Sequence, residues 1–459
     1  MYFDAAIESL QNSPRLLGRE DLKLSQTVQA LVLGGGAPQE HSMGPLTLRR
    51  AKPAIPFGGS YRLIDIPLSN LLHSGVNKVF VLTQYNSRSL NSHVNHAYPP
   101  SFGKNSSHVE VIAASQTCEN KQWSRGSADA VRNIMHNLPQ LSHEKDLVED
   151  VVIISGEHLY SLDFSALIAE HRQSDADITL STIAVSRDTP ALYGVDGTGL
   201  GLLESTPSGH VVRFQEKPRG EDRDSFENVS KGSTSEKPFV ASMGIYVFKK
   251  HVLHSLLELN PNLLDFGADV ITHALHNNYH LQAYLYDGYW EDISTLRSFY
   301  RANLALADAN PAFNLEDPEH LTYTKSRCLP PAKIIGACQV EDSILGEGVL
   351  IQDSNIFHSI LSCCTTVRAG CTIKDTLVMG ADVLHGYRGK AGEPGSLGIG
   401  DNVYIDGAIL DKNVSIGSDC RIVNSEGVME GGSEEQGYLI RSGIVTILKD
   451  AVIPNGTII

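Results

Sequence analysis

GGGAPQEHSMGPLT, Gly34 to Thr47, follows the apolar run QALVL and precedes RRAKP. A buried strand thus feeds a glycine turn, the arrangement in which backbone N–H groups close on an anion at the head of an α/β unit. Gly34, Gly35 and Gly36 suit that task. The middle of the stretch does not, because PQEHSM places proline and glutamate where a phosphate calls for donors or cations.

Outward from this turn, strand-like and helical stretches alternate as far as about Leu306. ALVL at 30–33, KVFVLT at 78–83, VEVIAA at 109–114, VVIIS at 151–155 and DITLSTIAV at 177–185 read as buried strands. SADAVRNIMHNL at 127–138 and SALIAEHRQS at 165–174 carry helical spacing and capping serines. Such alternation predicts an α/β sheet with ligands at the carboxyl ends of strands, so the loops after Leu33, Ala114 and Ser155 are the places for chemistry. Polar residues 218–238 read as an exposed flexible loop, and RCLPPAK at 327–333 as an extended crossing segment.

Beyond Lys333 the rhythm changes. Leu345, Ile351 and Phe357 are six apart, as are Leu361, Val367 and Ile373, then Ile399 and Ile405, then Leu410, Ile416 and Ile422. Apolar positions at a six-residue period, interleaved with G-D-N and D-K-N turns, mark the coils of a β-helix, a fold that commonly assembles chains. The expected organisation is an N-terminal extension over 1–26, an α/β domain over 27–310, a linker over 311–335 and a β-helix domain over 336–459.

Composition narrows the functional classes. The 459 residues are 41% hydrophobic and 20% charged, which fits two or three globular domains. A net charge of -16 argues against general nucleic-acid or anionic-membrane binding, and no apolar run has the length of a membrane span. Cys118, Cys328, Cys338, Cys363, Cys364, Cys371 and Cys420 form no zinc-type spacing and read as buried thiols, with Cys363 and Cys364 on opposite faces of a strand. The first 26 residues match neither a secretory signal nor an arginine- and serine-rich transit peptide.

Two carboxylates stand out. Glu157, in GEHLYSLD directly after a buried strand, and Asp292, in YWEDI, suit a divalent cation beside a phosphate. Either alone is more often a solvated loop acid; with the glycine turn they point to a metal-assisted phosphate site. Lys52 in RAKP and Lys217 in EKP are each followed by proline, which limits where their stems point. On spacing alone each is ordinary surface charge. GSADAV, Gly126 to Val131 with Asp129 inside it, opens a helix either toward a nucleotide or behind a simple cap.

RRAKPAIPFGGSYRLIDIPLSN, VLTQYNSRSLNSHV, GEHLYSLDF, FQEKP, ASMGIYVF, DFGADVI, YLYDGYWEDI and SGIVTILKDAVIPNGTII together resemble ADP-glucose pyrophosphorylase (glucose-1-phosphate adenylyltransferase), the plant small-subunit type above all, from about Ser25 onward. The resemblance implies a Rossmann-like nucleotidyltransferase domain followed by a left-handed parallel β-helix, in a plastid tetramer of large and small subunits. The implied reaction is ATP plus glucose 1-phosphate giving ADP-glucose and pyrophosphate for starch, with Mg²⁺. By position in the motifs, Lys52 faces the ATP phosphates, Gln116, Gly126 and Asp129 the nucleotide, and Glu216, Lys217 and Ser242 the sugar phosphate, with Glu157 and Asp292 at the metal. Arg50, Arg62, His93, Arg327, Lys412 and Lys449 match basic positions for anionic effectors such as 3-phosphoglycerate and phosphate.

The chain departs from the family where phosphate is gripped. The family's loop reads G-G-G-x-G-T-R-L-x-P-L-T; here it is two residues longer and lacks G-T-R. A glutamate and a neutral histidine cannot replace a guanidinium fork, and losing one such stabiliser costs about 10²-fold or more in rate. Glu157 stands where the family has aspartate, and about 1 Å of misplacement costs on the order of 10²-fold again. Val28 replaces the cysteine of the small subunit's intersubunit disulfide, and Ser92 a common arginine. The reading is a small-subunit-type chain whose own catalysis is severely impaired or lost. The alternatives are an active adenylyltransferase in which Arg49, Arg50 or a partner's cation substitutes, and a non-catalytic effector sensor for catalytic partners.

Overall fold

The computed structural model describes residues 24–35, 43–99, 108–114, 124–135, 147–189, 199–318, 320–384 and 397–459. Runs of Val, Ile and Leu form the strands of the first half, alternating with amphipathic helices: β1 (Val28–Leu33), α1 (Asp65–His73), β2 (Lys78–Thr83), α2 (Arg88–Ala97) and β3 (His108–Ala113). Then come α3 (Ser127–Met135), β4 (Asp150–Ser155), β5 (His158–Tyr160), α4 (Phe164–Gln173) and β6 (Ile178–Val185). The domain closes with β7 (Leu202–Ser205), β8 (Val211–Gln215), β9 (Phe239–Lys249), α5 (Lys250–Leu259), β10 (Leu281–Tyr286), β11 (Trp290–Asp292) and α6 (Leu296–Leu304).

One nine-stranded sheet runs β8–β7–β9–β4–β1–β2–β3, with β6 against β9 and β10 against β6. The segment β4–β1–β2–β3 is parallel, and β9 is antiparallel to β4 and β6. Alternate residues serve opposite faces: Ala30, Val32, Val152 and Ile154 enter one core, Leu31, Phe80, Val151 and Ile153 the other. Strand order turns back at β1, where Leu33 is level with both Leu82 and Ser155. The crevice beyond those carboxyl ends is where an open α/β sheet receives its ligand.

Some local expectations are corrected. Helix α4 begins one residue earlier than predicted, capped by Asp163, whose carboxylate accepts the Ser165 N–H at 2.8 Å. Residues 218–238 are largely exposed, as expected, but carry local structure: Glu221–Asp224 form a short helix, and Phe226 is fully buried with the Arg213 guanidinium 4.0 Å from its ring centre.

The second half is a three-faced parallel β-helix. Ile351, Val367, Ile399, Ile416 and Ile453 stack level on one face, Ile356, Ile373, Ile405 and Ile422 on the next, and Leu361, Val378, Leu410 and Ile447 on the third. All of these are buried. Phe357 is the exception to the predicted period: the corner at Asp353, which has φ 40°, is one residue shorter, so Ile356 points inward and Phe357 is only half-buried. Cys363 and Cys364 lie in a corner after the Ile360–Leu361 strand, both buried, rather than on two faces of a strand. Cys328 is exposed and Cys338 half-buried, and Cys118 lies outside the described residues.

The two halves share one apolar cluster. Helix α6 offers Leu296 and Phe299, joined by Ile55, Phe57 and Phe313, against Ile360, Leu377, Met379, Ile409 and Ile444 from the outside of the β-helix. Among the described residues, no helix is long and apolar enough to cross a membrane.

Candidate active site

The end of β4 and a single turn at Lys52–Ala54 come together beneath the glycine stretch. Gly156 donates its N–H to the Leu33 carbonyl at 3.2 Å, and a Cβ there would lie 3.1 Å from that oxygen and from Pro53. This close approach sets Glu157 beside Lys52, with Nζ to Oε1 3.3 Å and side chains 21% and 22% exposed. Gly34 is tied to the Leu82 carbonyl at 2.8 Å, while a Cβ on Gly35 would make ordinary contacts, 3.9 Å from the Ala51 Cβ. Gly36 and the PQEHS that follows Ala37, like Gln116, lie outside the described residues.

Asp292 comes beside the next residue of this turn through β11, which pairs antiparallel with β5 so that Asp292 is level with His158. Its carboxylate accepts the Ser294 N–H at 2.8 Å. Glu157 and Asp292 therefore stand on neighbouring positions of two paired segments. Magnesium takes one or two carboxylates and completes its shell with phosphate oxygens and water. Among the described residues no group of three or more His, Cys, Asp or Glu is arranged to hold a metal ion; a pair of carboxylates is a donor set that leaves positions for phosphate oxygens and water.

Gly126 and Asp129 are placed differently. A Cβ on Gly126 would lie 2.2 Å from the Leu264 carbonyl, which accepts the Ala128 and Asp129 N–H groups at 2.8 and 3.2 Å. Asp129 pairs with Arg132 at 2.9 Å and accepts the Arg125 N–H at 3.0 Å. Ser127, predicted as a cap, instead donates to Asp265 at 2.8 Å. The first turn of α3 is thus bound to the segment before Phe266.

The sugar-phosphate candidates gather around Gly199–Leu202. Glu216 follows β8, and Gly201 and Gly267 make room for it: a Cβ on either would stand 2.7 or 2.5 Å from Oε2. Burial pushes the Glu216 carboxyl up to about 7; Lys217 opposes this and Asp265 adds to it. Lys217 has φ 50°, left-handed, and its stem lies over Gly199. Ser242, on β9 and buried, donates its N–H to the Gly201 carbonyl at 2.8 Å and accepts the Gly244 N–H at 3.2 Å.

Residues 29–309 match the nucleotidyl transferase family, and residues 327–458 the GLGC left-handed parallel beta-helix domain. A wheat (Triticum aestivum) protein, glucose-1-phosphate adenylyltransferase small subunit, chloroplastic/amyloplastic, is 42% identical over 450 residues, covering 95% of this chain and 92% of its own. The chain belongs to the glucose-1-phosphate adenylyltransferase family.

In this adenylyltransferase-family chain the basic residues matched to effector positions collect along the seam between the domains. Arg50 meets Asp411 at 2.6 Å, both nearly buried. Burial, with Arg50 and Arg327 nearby, brings the Arg62 guanidinium down to about 10. Lys412 is likewise lowered by burial, with Arg327 and Arg62 adding to the effect, and pairs with Asp382. Burial alone would raise Asp382; Lys412, Asn413 and Lys449 hold it down at about 2. Arg327 reaches the Ser60 carbonyl at 3.5 Å. His93 lies one step away, 2.6 Å from Asp65, whose other oxygen accepts the Arg62 N–H at 2.9 Å. Lys449 and Arg50 line a cleft of 210 Å³ with Arg49, Glu434, Glu435 and Asp450, apart from the Glu157 site.

Sequence reading passed over the acids that hold these cations. Asp65 sits inside the quoted RLIDIP run and Asp411 immediately precedes Lys412, yet only the fold reveals their partners.

Proposed function

We propose that this chain is a small-subunit-type member of ADP-glucose pyrophosphorylase, placed in a plastid heteromer, whose own conversion of ATP and glucose 1-phosphate to ADP-glucose and pyrophosphate is severely impaired or lost. The observation that carries the reading is the Lys52–Glu157 ion pair at 3.3 Å. Lys52 is the cation assigned to the ATP phosphates, and the extra methylene of Glu157 lets it occupy that cation. With the loop arginine absent as well, the phosphate end of the site offers little free positive charge.

In the proposed roles, Glu157 and Asp292 hold Mg²⁺, which when bound neutralises phosphate charge. Lys52 orients the triphosphate, Gln116, Gly126 and Asp129 border the nucleotide, and Glu216, Lys217 and Ser242 seat glucose 1-phosphate for in-line attack on the α-phosphorus. Two features weigh against an active enzyme rescued by Arg49 or Arg50: these face Asp450 and Asp411 of the β-helix. The effector-sensor reading is favoured by the gathered Arg62, Arg327 and Lys412, whose mutual repulsion an anion such as phosphate or 3-phosphoglycerate would relieve.

The test is ADP-glucose formation from ATP, glucose 1-phosphate and Mg²⁺ by the purified chain, alone and with a large subunit. It is run beside a variant carrying GGGAGTRLYPLT and Glu157→Asp. Turnover only in the repaired chain is expected; comparable turnover in both would overturn the reading.

A further inference from the structure

We propose that His158 is a positioning residue for Asp292 in metal–nucleotide binding, an inference that rests on the phosphate site proposed above. His158 and Asp292 are level across the β5–β11 pair, with Nε2 3.9 Å from Oδ1 and side chains only 12% and 16% exposed. A shift of about 1 Å would turn that contact into a hydrogen bond. The ring has little other freedom. Trp290 stands edge-on at 5.4 Å and 79°, and Gly244, at φ 68°, lies so close that a Cβ there would be 3.4 Å from Cε1.

His158 Nδ1 is buried and has no hydrogen-bond partner among the described residues. With no partner on Nδ1 among the described residues, Nε2 is the ring atom placed to bond, and the carboxylate it faces is that of Asp292. Two carboxylates facing one cation repel each other until it arrives, and each needs a donor behind it to hold its direction. Among the described residues, the hydrogen bond Asp292 accepts is from the Ser294 N–H, on Oδ1. An imidazole N–H closing on Asp292 as phosphate draws Lys52 away from Glu157 would supply the second. Outer partners of metal ligands typically change metal affinity by about 10- to 100-fold. His158 thus touches the Ser242–Gly244 turn on one side and faces Asp292 on another.

The test uses the full chain and Mn²⁺ as the probe, with bound metal read by electron paramagnetic resonance at fixed ATP and ATP affinity measured separately in EDTA. His158→Ala should weaken Mn²⁺–ATP binding about tenfold or more, with metal-free ATP binding and the melting temperature little changed. His158→Gln, which retains an N–H donor, should recover most of the loss, and His158→Ala should add little to Asp292→Asn. Unchanged Mn²⁺–ATP affinity in His158→Ala, where Asp292→Asn loses it, overturns the proposal. So does an equal loss with and without metal, which marks packing alone. If neither the parent nor Glu157→Asp gains ATP affinity from Mn²⁺ and Asp292→Asn changes nothing, the phosphate-site reading itself falls and takes this proposal with it.

Discussion

Arg50 and Lys52 stand two residues apart and each meets one carboxylate, in opposite surroundings. The Arg50–Asp411 pair is 2.6 Å long with side chains 5% and 2% exposed, and it joins the nucleotidyltransferase domain to the β-helix. The Lys52–Glu157 pair is 3.3 Å long, about a fifth exposed, and stays within one domain. Water has been removed from the first pair, so separating it strands a charge in a place that cannot solvate it. The second remains open to competition from the oxygens of a ligand. Two cations encoded side by side thus become a clamp and a gate.

The sharpest way to break this contrast is Arg50→Ala. It should lower unfolding free energy by about 3–5 kcal/mol, read by denaturant titration, because Asp411 is left unpaired. Removing both charges in an Arg50→Met/Asp411→Leu chain should recover most of that loss. A cost no larger than that of Lys52→Ala would erase the distinction between the pairs.

Glu216 is the limiting case, a half-buried carboxyl with Gly201 and Gly267 packed against its Oε2. Its folded pKa, about 7, lies above the ordinary 4.5, so the unfolded chain releases its proton first as pH rises. Stability should therefore fall between pH 4.5 and 7 and level off above, by up to about 3 kcal/mol at roughly 1.36 kcal/mol per pH unit. Glu216→Gln should flatten that slope in melts across the same window.

Lys52→Ala should change stability by less than about 1 kcal/mol while weakening nucleotide binding by roughly 10- to 100-fold, the worth of a charge-assisted contact. Isothermal titration with ATP distinguishes the two effects. Glu157→Asp should act in the opposite direction by releasing the lysine.

The smallest effect is expected at His358, which meets Asp375 at 2.5 Å and Asp308 at 3.3 Å across the same domain seam. The hydrogen bond to Asp375 raises its pKa above 6.5 despite partial burial, with Asp308 assisting. The protonated bridge stabilises fully below the unfolded value and is lost as pH climbs through the folded one. His358→Gln should lower the melting temperature slightly at pH 5.5 and not at pH 8.

What could be read in the sequence was what repeats. Alternating buried runs located β1, β2 and β4 within two residues, and the six-residue period located the coils. Phe357 slipped because a corner shorter by one residue changes the face without changing the look of the pattern. Phe226 was missed because a lone aromatic has no period. At the site, residue types and spacing singled out Glu157 and Asp292, but not that Lys52 is already engaged by one and His158 set opposite the other. Those relations arise from strands distant in sequence, and only the sheet brings them together.

The apolar junction also limits how the molecule can be divided. Cutting the chain between residues 320 and 335 would bare Ile360, Leu377, Met379, Ile409 and Ile444 on one fragment and Leu296, Phe299 and Phe313 on the other. Each half would carry an oily stripe that holds to itself or to whatever apolar surface comes near. Neither is suited to life as a separate soluble piece, and on heating the intact chain the two halves should melt in a single step.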